Sequence, residues 1–136
     1  MFLDAMRLNA AHGVKLDPCD RTRCTIIAER LQIPIEAVAG ALCMPADKLA
    51  TLRVDRTARD SGGLSIPLKR TIKHMAGRKL TKSQVAANER SSGMNQSFYA
   101  NQLIELIEAG LLDKEDERLW KRLRHLQGLL ESLLVA

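Results

Sequence analysis

Aromatic residues are scarce and make up only 3% of this 136-residue chain. Apolar residues still account for 46% of it, so a core must be built from Leu, Ile, Val, Ala and Met. Strand-rich domains depend on aromatic and β-branched side chains, whereas Leu and Ala favour helices. No stretch alternates apolar and polar residues as a half-buried strand would. The sequence therefore predicts an all-α fold with room for one domain or two very small ones.

Cysteine is also scarce, and it does not occur in the patterns that disulfide frameworks require. The three cysteines, Cys19, Cys24 and Cys43, are odd in number and form no C-x-x-C pair. This pattern excludes a secreted disulfide scaffold and favours the reducing cytoplasm. No apolar run approaches the roughly 18 residues that suggest a membrane-spanning helix. The first residues lack the charged and apolar regions of a signal peptide, so we expect a cytoplasmic protein with no membrane partner.

The motifs of common enzyme classes are missing. The chain contains no G-x-x-x-x-G-K-[ST] loop, no G-x-G-x-x-G turn and no H-E-x-x-H helix. The three histidines are far apart in the sequence, and Cys19 and Cys24, five residues apart on a predicted helix, do not share one face. We therefore predict that the protein is not an enzyme, with no catalytic residue, no metal ligand and no cofactor.

Capping signals divide the chain into short helices. Asp17-Pro18 and Thr81 are typical helix starts, and His12-Gly13 and Gly77 are typical stops. Residues 54–66 are poor in large apolar groups and include Ser61-Gly62-Gly63. We predict residues 1–54 as a helix-turn-helix domain, residues 55–66 as a flexible linker and residues 67–136 as a basic, leucine-rich helical region. The predicted helices cover 2–11, 18–31, 35–42, 46–53, 67–76, 82–91, a segment from Asn95 or Ser97 to Gly110, and one from Leu112 or Asp113 to Leu134.

Residues 35–54 have the pattern of a helix-turn-helix unit. Ala39 provides the small residue where two helices cross, and Leu49 and Leu52 anchor the second helix. Cys43 stands at the turn, where Gly is usual because the turn needs a left-handed backbone. In such units the second helix enters the major groove of DNA. The alternative is an ordinary helical hairpin in a bundle. Few residues on the outward face of the second helix are of the types that read bases well. The outward residues are Ala46, Asp47, Lys48, Ala50, Thr51 and Arg53.

Basic residues are concentrated directly after this unit. The whole chain has a formal charge of +5, but residues 53–90 alone hold ten Lys and Arg against three Asp and Glu. Such a concentration suits phosphate contacts with double-stranded DNA, and an ordinary solvated face is the alternative. The predicted DNA-binding residues are Lys48, Thr51, Arg53, Arg56, Lys69, Arg70, Lys73, Arg78 and Lys79.

The last predicted helix carries an apolar stripe that is wide for a lone terminal helix. DNA-binding modules of this type commonly pair to read two half-sites, so we expect a homodimer. The alternative is that the stripe packs onto the protein's own core. The predicted dimer interface consists of Leu119, Trp120, Leu123, Leu126 and Leu130.

The run from Leu8 to Asp17, LNAAHGVKLD, followed by Asp20-Arg21, resembles the start of the central helix-turn-helix region of ParB-like proteins. In that family an Asn-x-x-His-Gly run leads into an acidic-Arg helix, and the helix-turn-helix follows, which is the order found here. The resemblance covers roughly the first 55 residues and implies DNA binding. The family's N-terminal nucleotide-binding or nuclease-like domain, with its Gly-Glu-Arg-Arg motif, is absent, so nucleotide hydrolysis is not implied. The chain is then a fragment of a longer protein or a stand-alone relative from a phage or mobile element.

Together these patterns predict a dimeric DNA-binding protein that acts in partition or regulation for a bacterium, plasmid or phage. The alternative is a non-enzymatic protein-interaction module, an adaptor or inhibitor, that docks a partner through its leucine-rich C-terminal helices.

Overall fold

The computed structural model describes residues 1–11 and 16–135, with no side chain described for residues 9–11. The protein is mostly helical, as predicted, with a small two-stranded sheet that was not expected. The predicted helix end at His12-Gly13 and most of the Asn9–Lys15 part of the ParB-like run lie outside the described residues. The elements are α1 (Phe2–Ala11), α2 (Pro18–Arg30), α3 (Ile35–Ala41), α4 (Ala46–Asp55), β1 (Thr57–Arg59), β2 (Ser65–Pro67), a 3₁₀ helix (Arg70–Met75), α5 (Lys82–Arg90), α6 (Gln96–Glu108) and α7 (Glu117–Leu134).

The chain folds into two compact units, Met1–Gln96 and Ser97–Ala136. The predicted linker, residues 55–66, therefore falls inside the first unit. None of the helices in the described part of the chain is long and apolar enough to cross a membrane.

Helix α2 begins where the capping pattern predicts. The side chain of Asp17 accepts a hydrogen bond from the backbone N–H of Asp20 at 2.8 Å, and Pro18 occupies the first turn. Two threonines on α2 are buried, yet their hydroxyls are satisfied by the helix itself. Thr22 donates to the carbonyl of Pro18 at 2.8 Å, and Thr25 donates to the carbonyl of Thr22 at 2.6 Å. These local bonds remove the cost of burying the hydroxyls and let α2 enter the core.

Helices α3 and α4 are joined by a sharp turn at Cys43. This residue has a φ of 55°, the left-handed conformation that the sequence pattern required of it. A residue with a side chain adopts this conformation at a cost of about 1 kcal/mol. Helix α3 packs against α1, α2 and α4, and α2 also packs against α4. The first core lies among these four helices and contains Met6, Ala28, Val38, Ala39, Ala41, Leu42 and Leu49.

A β-hairpin occupies the segment that the sequence predicted as a linker. Strands β1 and β2 are antiparallel, with Ala58 opposite Ile66. The carboxylate of Asp60 accepts the backbone N–H groups of Gly62 and Leu64, both at 2.9 Å, and so holds the turn. The Gly-Gly pair therefore belongs to a tight turn rather than to a flexible connection, and strands of three residues are too short to show an alternating pattern.

The helix predicted for residues 67–76 is also corrected. Pro67 ends β2, and the N–H of Leu68 donates to the carbonyl of Arg56 at 2.7 Å, which extends the hairpin by one pair. Only a 3₁₀ helix follows, with non-helical angles at Ile72. Lys79 forms a parallel bridge with Arg59. The second core lies around this hairpin and contains Ala58, Leu68 and Leu80.

Helix α5 is attached to the hairpin through a buried amide. The Oδ1 atom of Asn88 accepts the N–H of Lys69, and its Nδ2 donates to the carbonyl of Pro67, both at 3.0 Å. Thr81 and Gln84 form the capping box that begins α5. The buried amide therefore holds α5 against the segment that follows β2.

The second unit contains α6 and α7. Helix α7 starts later than predicted because Asp116 caps it, accepting the N–H of Leu119 at 3.1 Å. The indole N–H of Trp120 donates to the carbonyl of Asp113 at 3.0 Å and holds the connecting turn against α7. No residue between 97 and 135 is buried.

Candidate nucleic-acid interface

A basic cleft of about 690 Å³ opens on the surface of the first unit. It lies at the C-terminal end of α4, where Arg56 caps that helix. Four of its residues are Lys or Arg and one is an acid. The lining residues, which together define the basic cleft, are Asp17, Pro18, Cys19, Arg56, Lys69, Arg70, Lys73, Ser92 and Gly93.

Two of the four cations are positioned by backbone carbonyls. The Nε atom of Arg56 donates to the carbonyl of Leu68 at 3.0 Å, which ties the end of α4 to the hairpin. The ammonium of Lys69 donates to the carbonyl of Glu89 at 2.7 Å and to that of Ser91. A cation at the C-terminal end of a helix also interacts favourably with the negative end of the helix dipole. Lys69 therefore stabilises the end of α5 while it lines the cleft.

Arg70 and Lys73 are the cations available to a ligand. Both side chains are exposed, and neither makes a hydrogen bond or an ion pair with any described residue. They lie three residues apart, on either side of the non-helical Ile72, and both line the cleft. Two unpaired cations in a concave site can contact adjacent phosphates without first breaking an internal bond.

The N-terminal end of α2 contributes part of the cleft lining. The carboxylate of Asp17 there is already engaged with the N–H of Asp20. Cys19 is buried, and burial, reinforced by the charge of Asp17, raises the pKa of its thiol. The thiol is therefore neutral at physiological pH and adds no negative charge to the cleft.

The loop after α5 adds Ser92 and Gly93, which the sequence did not suggest. The hydroxyls of Thr71 and Ser91 lie 2.6 Å apart, and Thr71 also donates to the carbonyl of Met94. These bonds fasten the loop to the 3₁₀ helix about twenty residues earlier in the chain. No local motif could have indicated that contact, because it joins segments brought together only by the hairpin and α5.

The exposed surface of α4 is poor in groups that read bases. Lys48 is exposed and free of partners within the described chain, but Asp47 beside it is exposed as well. The hydroxyl of Thr51 donates to the carbonyl of Asp47 at 3.0 Å. Ala46, predicted to face outward, is half-buried and packs against the first core. This surface offers one free cation, Lys48, against two exposed carboxylates, Asp47 and Asp55.

Arg53 is engaged in an internal ion pair. Its Nε and Nη2 atoms donate to the two carboxylate oxygens of Glu29 at 2.6 and 3.0 Å. Nη2 also lies 3.4 Å from the hydroxyl of Ser65. The guanidinium thus connects α4 to α2 and β2, and the partner, 24 residues away, could not be identified from spacing alone.

The predicted DNA-binding residues do not all meet at one place. Arg56, Lys69, Arg70 and Lys73 line the cleft, while Lys48 and Thr51 lie on α4. Arg78 and Lys79 are exposed on the segment that bridges β1 and are not part of the cleft lining.

The predicted dimer-interface residues are largely brought together. Trp120, Leu123, Leu126 and Leu130 line one apolar groove of the second unit, whereas Leu119 is half-buried outside its lining. Among the residues that the structure describes, no three His, Cys, Asp or Glu side chains are grouped as a metal site would require.

No family model, curated protein or solved structure matches the chain. The resemblance to ParB-like proteins therefore stays a prediction from the Leu8–Asp17 run and the order of the helices that follow it.

Proposed function

We propose that the first unit binds double-stranded DNA mainly through its phosphates. In this proposal the basic cleft holds the DNA backbone, and α3 and α4 act as a helix-turn-helix that presents α4 to the major groove. The observation that carries the proposal is that Arg70 and Lys73 are exposed and unpaired in a cleft that also holds Arg56 and Lys69.

The distribution of charge between the two units also supports DNA binding by the first unit. Residues 1–96 contain sixteen Lys and Arg against nine Asp and Glu, a formal charge of +7, whereas residues 97–136 contain five against seven. The basic surplus is thus confined to the unit that contains the cleft and α4. Such a surplus attracts polyanions and releases their counterions on binding.

The surface of α4 supports weak sequence preference. Arg, Asn and Gln make the strong bidentate contacts to bases, and the one arginine of α4 is paired with Glu29. Phosphate contacts carry no sequence information of their own. We therefore propose that the cleft provides most of the affinity for DNA. Lys48 and Thr51 provide only a modest discrimination between base sequences. The resemblance to ParB-like proteins favours a role in DNA partition or regulation.

The proposal is tested by titrating a fluorescent DNA duplex with the full chain over a series of salt concentrations. Binding should weaken steeply with salt, because each phosphate contact contributes about −0.9 to the slope of log K against log salt. The double variant Arg70→Gln/Lys73→Gln should bind more weakly and reduce that slope by about 2.

A matched control is Lys82→Gln/Arg90→Gln, which removes the same charge from exposed positions of α5 outside the cleft. It should retain most of the affinity and the slope. The proposal fails if the wild-type chain does not bind duplex DNA at low salt, or if the two double variants weaken binding equally.

A further inference from the structure

Helix α7 carries a cluster of cations that the proposed DNA contacts of the first unit do not use. Residues 118–130 contain four Lys and Arg and no Asp or Glu. The rest of the second unit is acidic, since it contains one lysine against seven Asp and Glu. The positive charge of this unit is therefore concentrated on one short stretch of one helix.

The packing of α7 leaves these cations in solvent. Leu123 and Leu126 are half-buried and line the apolar groove that α7 forms with α6, whereas the basic side chains are all exposed. Residues three, four and seven positions apart share one face of a helix, so three of the cations lie together with a histidine, and Arg124 lies beside them. Together the five side chains surround a concave surface of about 580 Å³. This basic face consists of Arg118, Lys121, Arg122, Arg124 and His125.

The four cations of the basic face are not engaged by any described part of the chain. All ion pairs among the described residues lie in the first unit, and even Glu117, which directly precedes the basic stretch, forms none. Like charges three or four residues apart on a helix have Cβ atoms about 5–6 Å from each other and repel. A bound anion would remove this repulsion, and it would not have to break an internal bond first.

We propose that the basic face is a second phosphate-binding surface, which holds the backbone of a nucleic-acid duplex. Three of its four cations are arginines, and a guanidinium group can donate two parallel hydrogen bonds to a phosphate. The stretch from Arg118 to Arg124 extends over about 9 Å of the helix axis, so its cations can contact neighbouring phosphates. The basic face lies in a different unit from the basic cleft, and it can bind DNA whether or not the cleft does.

The chemistry of the basic face favours a duplex over other anionic partners. None of its lining residues is apolar or aromatic apart from the imidazole of His125. Single strands are held largely by bases that stack on aromatic side chains, and protein interfaces usually have an apolar centre. A helix that lies on a membrane inserts its apolar face, but the apolar face of α7 forms the groove with α6. Duplex interfaces, in contrast, are polar and strongly positive.

The test measures binding of a fluorescent DNA duplex to the full chain by anisotropy over a series of salt concentrations. The variant Arg118→Gln/Arg122→Gln should weaken binding roughly tenfold at low salt and reduce the slope of log K against log salt by about 2. Arg118→Lys/Arg122→Lys keeps the charge and should retain most of the affinity. The matched control Lys82→Gln/Arg90→Gln removes the same charge from exposed positions of α5 and should leave affinity and slope nearly unchanged.

Combination with the cleft variant separates the two surfaces. Arg70→Gln/Lys73→Gln should retain salt-dependent binding through the basic face, and the chain that carries all four glutamines should lose it. If Arg118→Gln/Arg122→Gln binds like the wild type, or loses no more than the α5 control, the basic face does not bind DNA and the cleft proposal is unaffected. If only the basic-face variant loses binding, the cleft proposal fails and this one holds.

Two further probes distinguish a duplex from other anionic partners. Single-stranded DNA of the same length and vesicles that contain phosphatidylserine should both bind more weakly than the duplex, and their binding should change little in Arg118→Gln/Arg122→Gln. The proposal is overturned if the basic-face variant loses binding to the vesicles or to the single strand but not to the duplex. Self-association that disappears in this variant while duplex binding persists unchanged would overturn it as well, because the basic face would then hold a second copy of the chain.

Discussion

The two units of this chain are both helical, but they bury their apolar side chains to very different extents. In Met1–Gln96, Leu49 and Leu68 are completely buried within two separate cores. In the second unit no residue from 97 to 135 is buried, although Leu and Ile are abundant there. A comparable share of apolar residues thus produces buried cores in one unit and none in the described residues of the other.

The difference lies in how many layers each unit can supply. Helices α1 to α4 and the hairpin enclose side chains from several directions, and hydrogen bonds satisfy the buried polar groups, such as the amide of Asn88. Two helices joined by one turn leave part of each apolar stripe uncovered. The comparison teaches that apolar content alone does not make a core, because a third and a fourth surface must close over it.

The largest expected effect comes from removing a core leucine in the first unit. Leu49→Ala should lower the free energy of unfolding by about 2–5 kcal/mol, because it leaves a cavity among α1 to α4. Leu111→Ala, at a position 68% exposed in the second unit, should change it by no more than about 0.5 kcal/mol. Urea denaturation followed by circular dichroism measures both, and equal effects would remove the distinction between the two units.

A smaller effect is expected from the buried amide that holds α5. Asn88→Ala leaves the N–H of Lys69 and the carbonyl of Pro67 without their partner, which should cost about 1–3 kcal/mol. Asn101→Ala on the exposed surface of α6 should be neutral or slightly stabilising, since Ala is the better helix former. Thermal unfolding of the two variants provides the measurement, and an unchanged stability of Asn88→Ala would contradict this account of α5.

The smallest effect is expected at the turn between α3 and α4. Cys43→Gly should stabilise the protein by about 0.5 kcal/mol, because relief of the left-handed strain exceeds the added flexibility of the unfolded chain. The matched control, Ala50→Gly at an exposed position within α4, should instead destabilise it by about 1 kcal/mol. Chemical denaturation distinguishes the two signs, and destabilisation by both would show that Cys43 is not strained.

Capping and turn residues predicted most of the helices, because the start and end of a helix depend on residues that are close together in the sequence. The Asp17 cap and the Thr81 capping box both appear where the pattern indicated, and Cys43 has the left-handed backbone expected of it. The hairpin was missed because each strand has only three residues, and its pairing spans a turn that resembles a linker. Its partners across the sheet, not its own composition, stabilise it.

The candidate site was predicted less completely than the fold. Four cations of the cleft were identified from the basic segment, but the sequence could not distinguish their roles. Lys69 is held by the carbonyls at the end of α5, and Arg53, outside the cleft, is held by Glu29, whereas Arg70 and Lys73 are unpaired within the described chain. The sequence shows how many cations the segment contains. Whether a cation is free to bind a ligand depends on which protein atoms lie within about 3 Å of it.

The sequence by itself determined that this protein is mostly helical, that its cores are built mainly from aliphatic side chains, and that its positive charge is concentrated before residue 91. These properties follow from helix propensity, capping and composition, which act over a few residues. Only the tertiary structure decided that residues 55–66 pack as a hairpin, that Arg53 is paired and Arg70 is not, and that α6 and α7 leave a groove uncovered. Those outcomes depend on contacts between residues far apart in the chain, and such contacts arise only when the helices and the hairpin close around a common core.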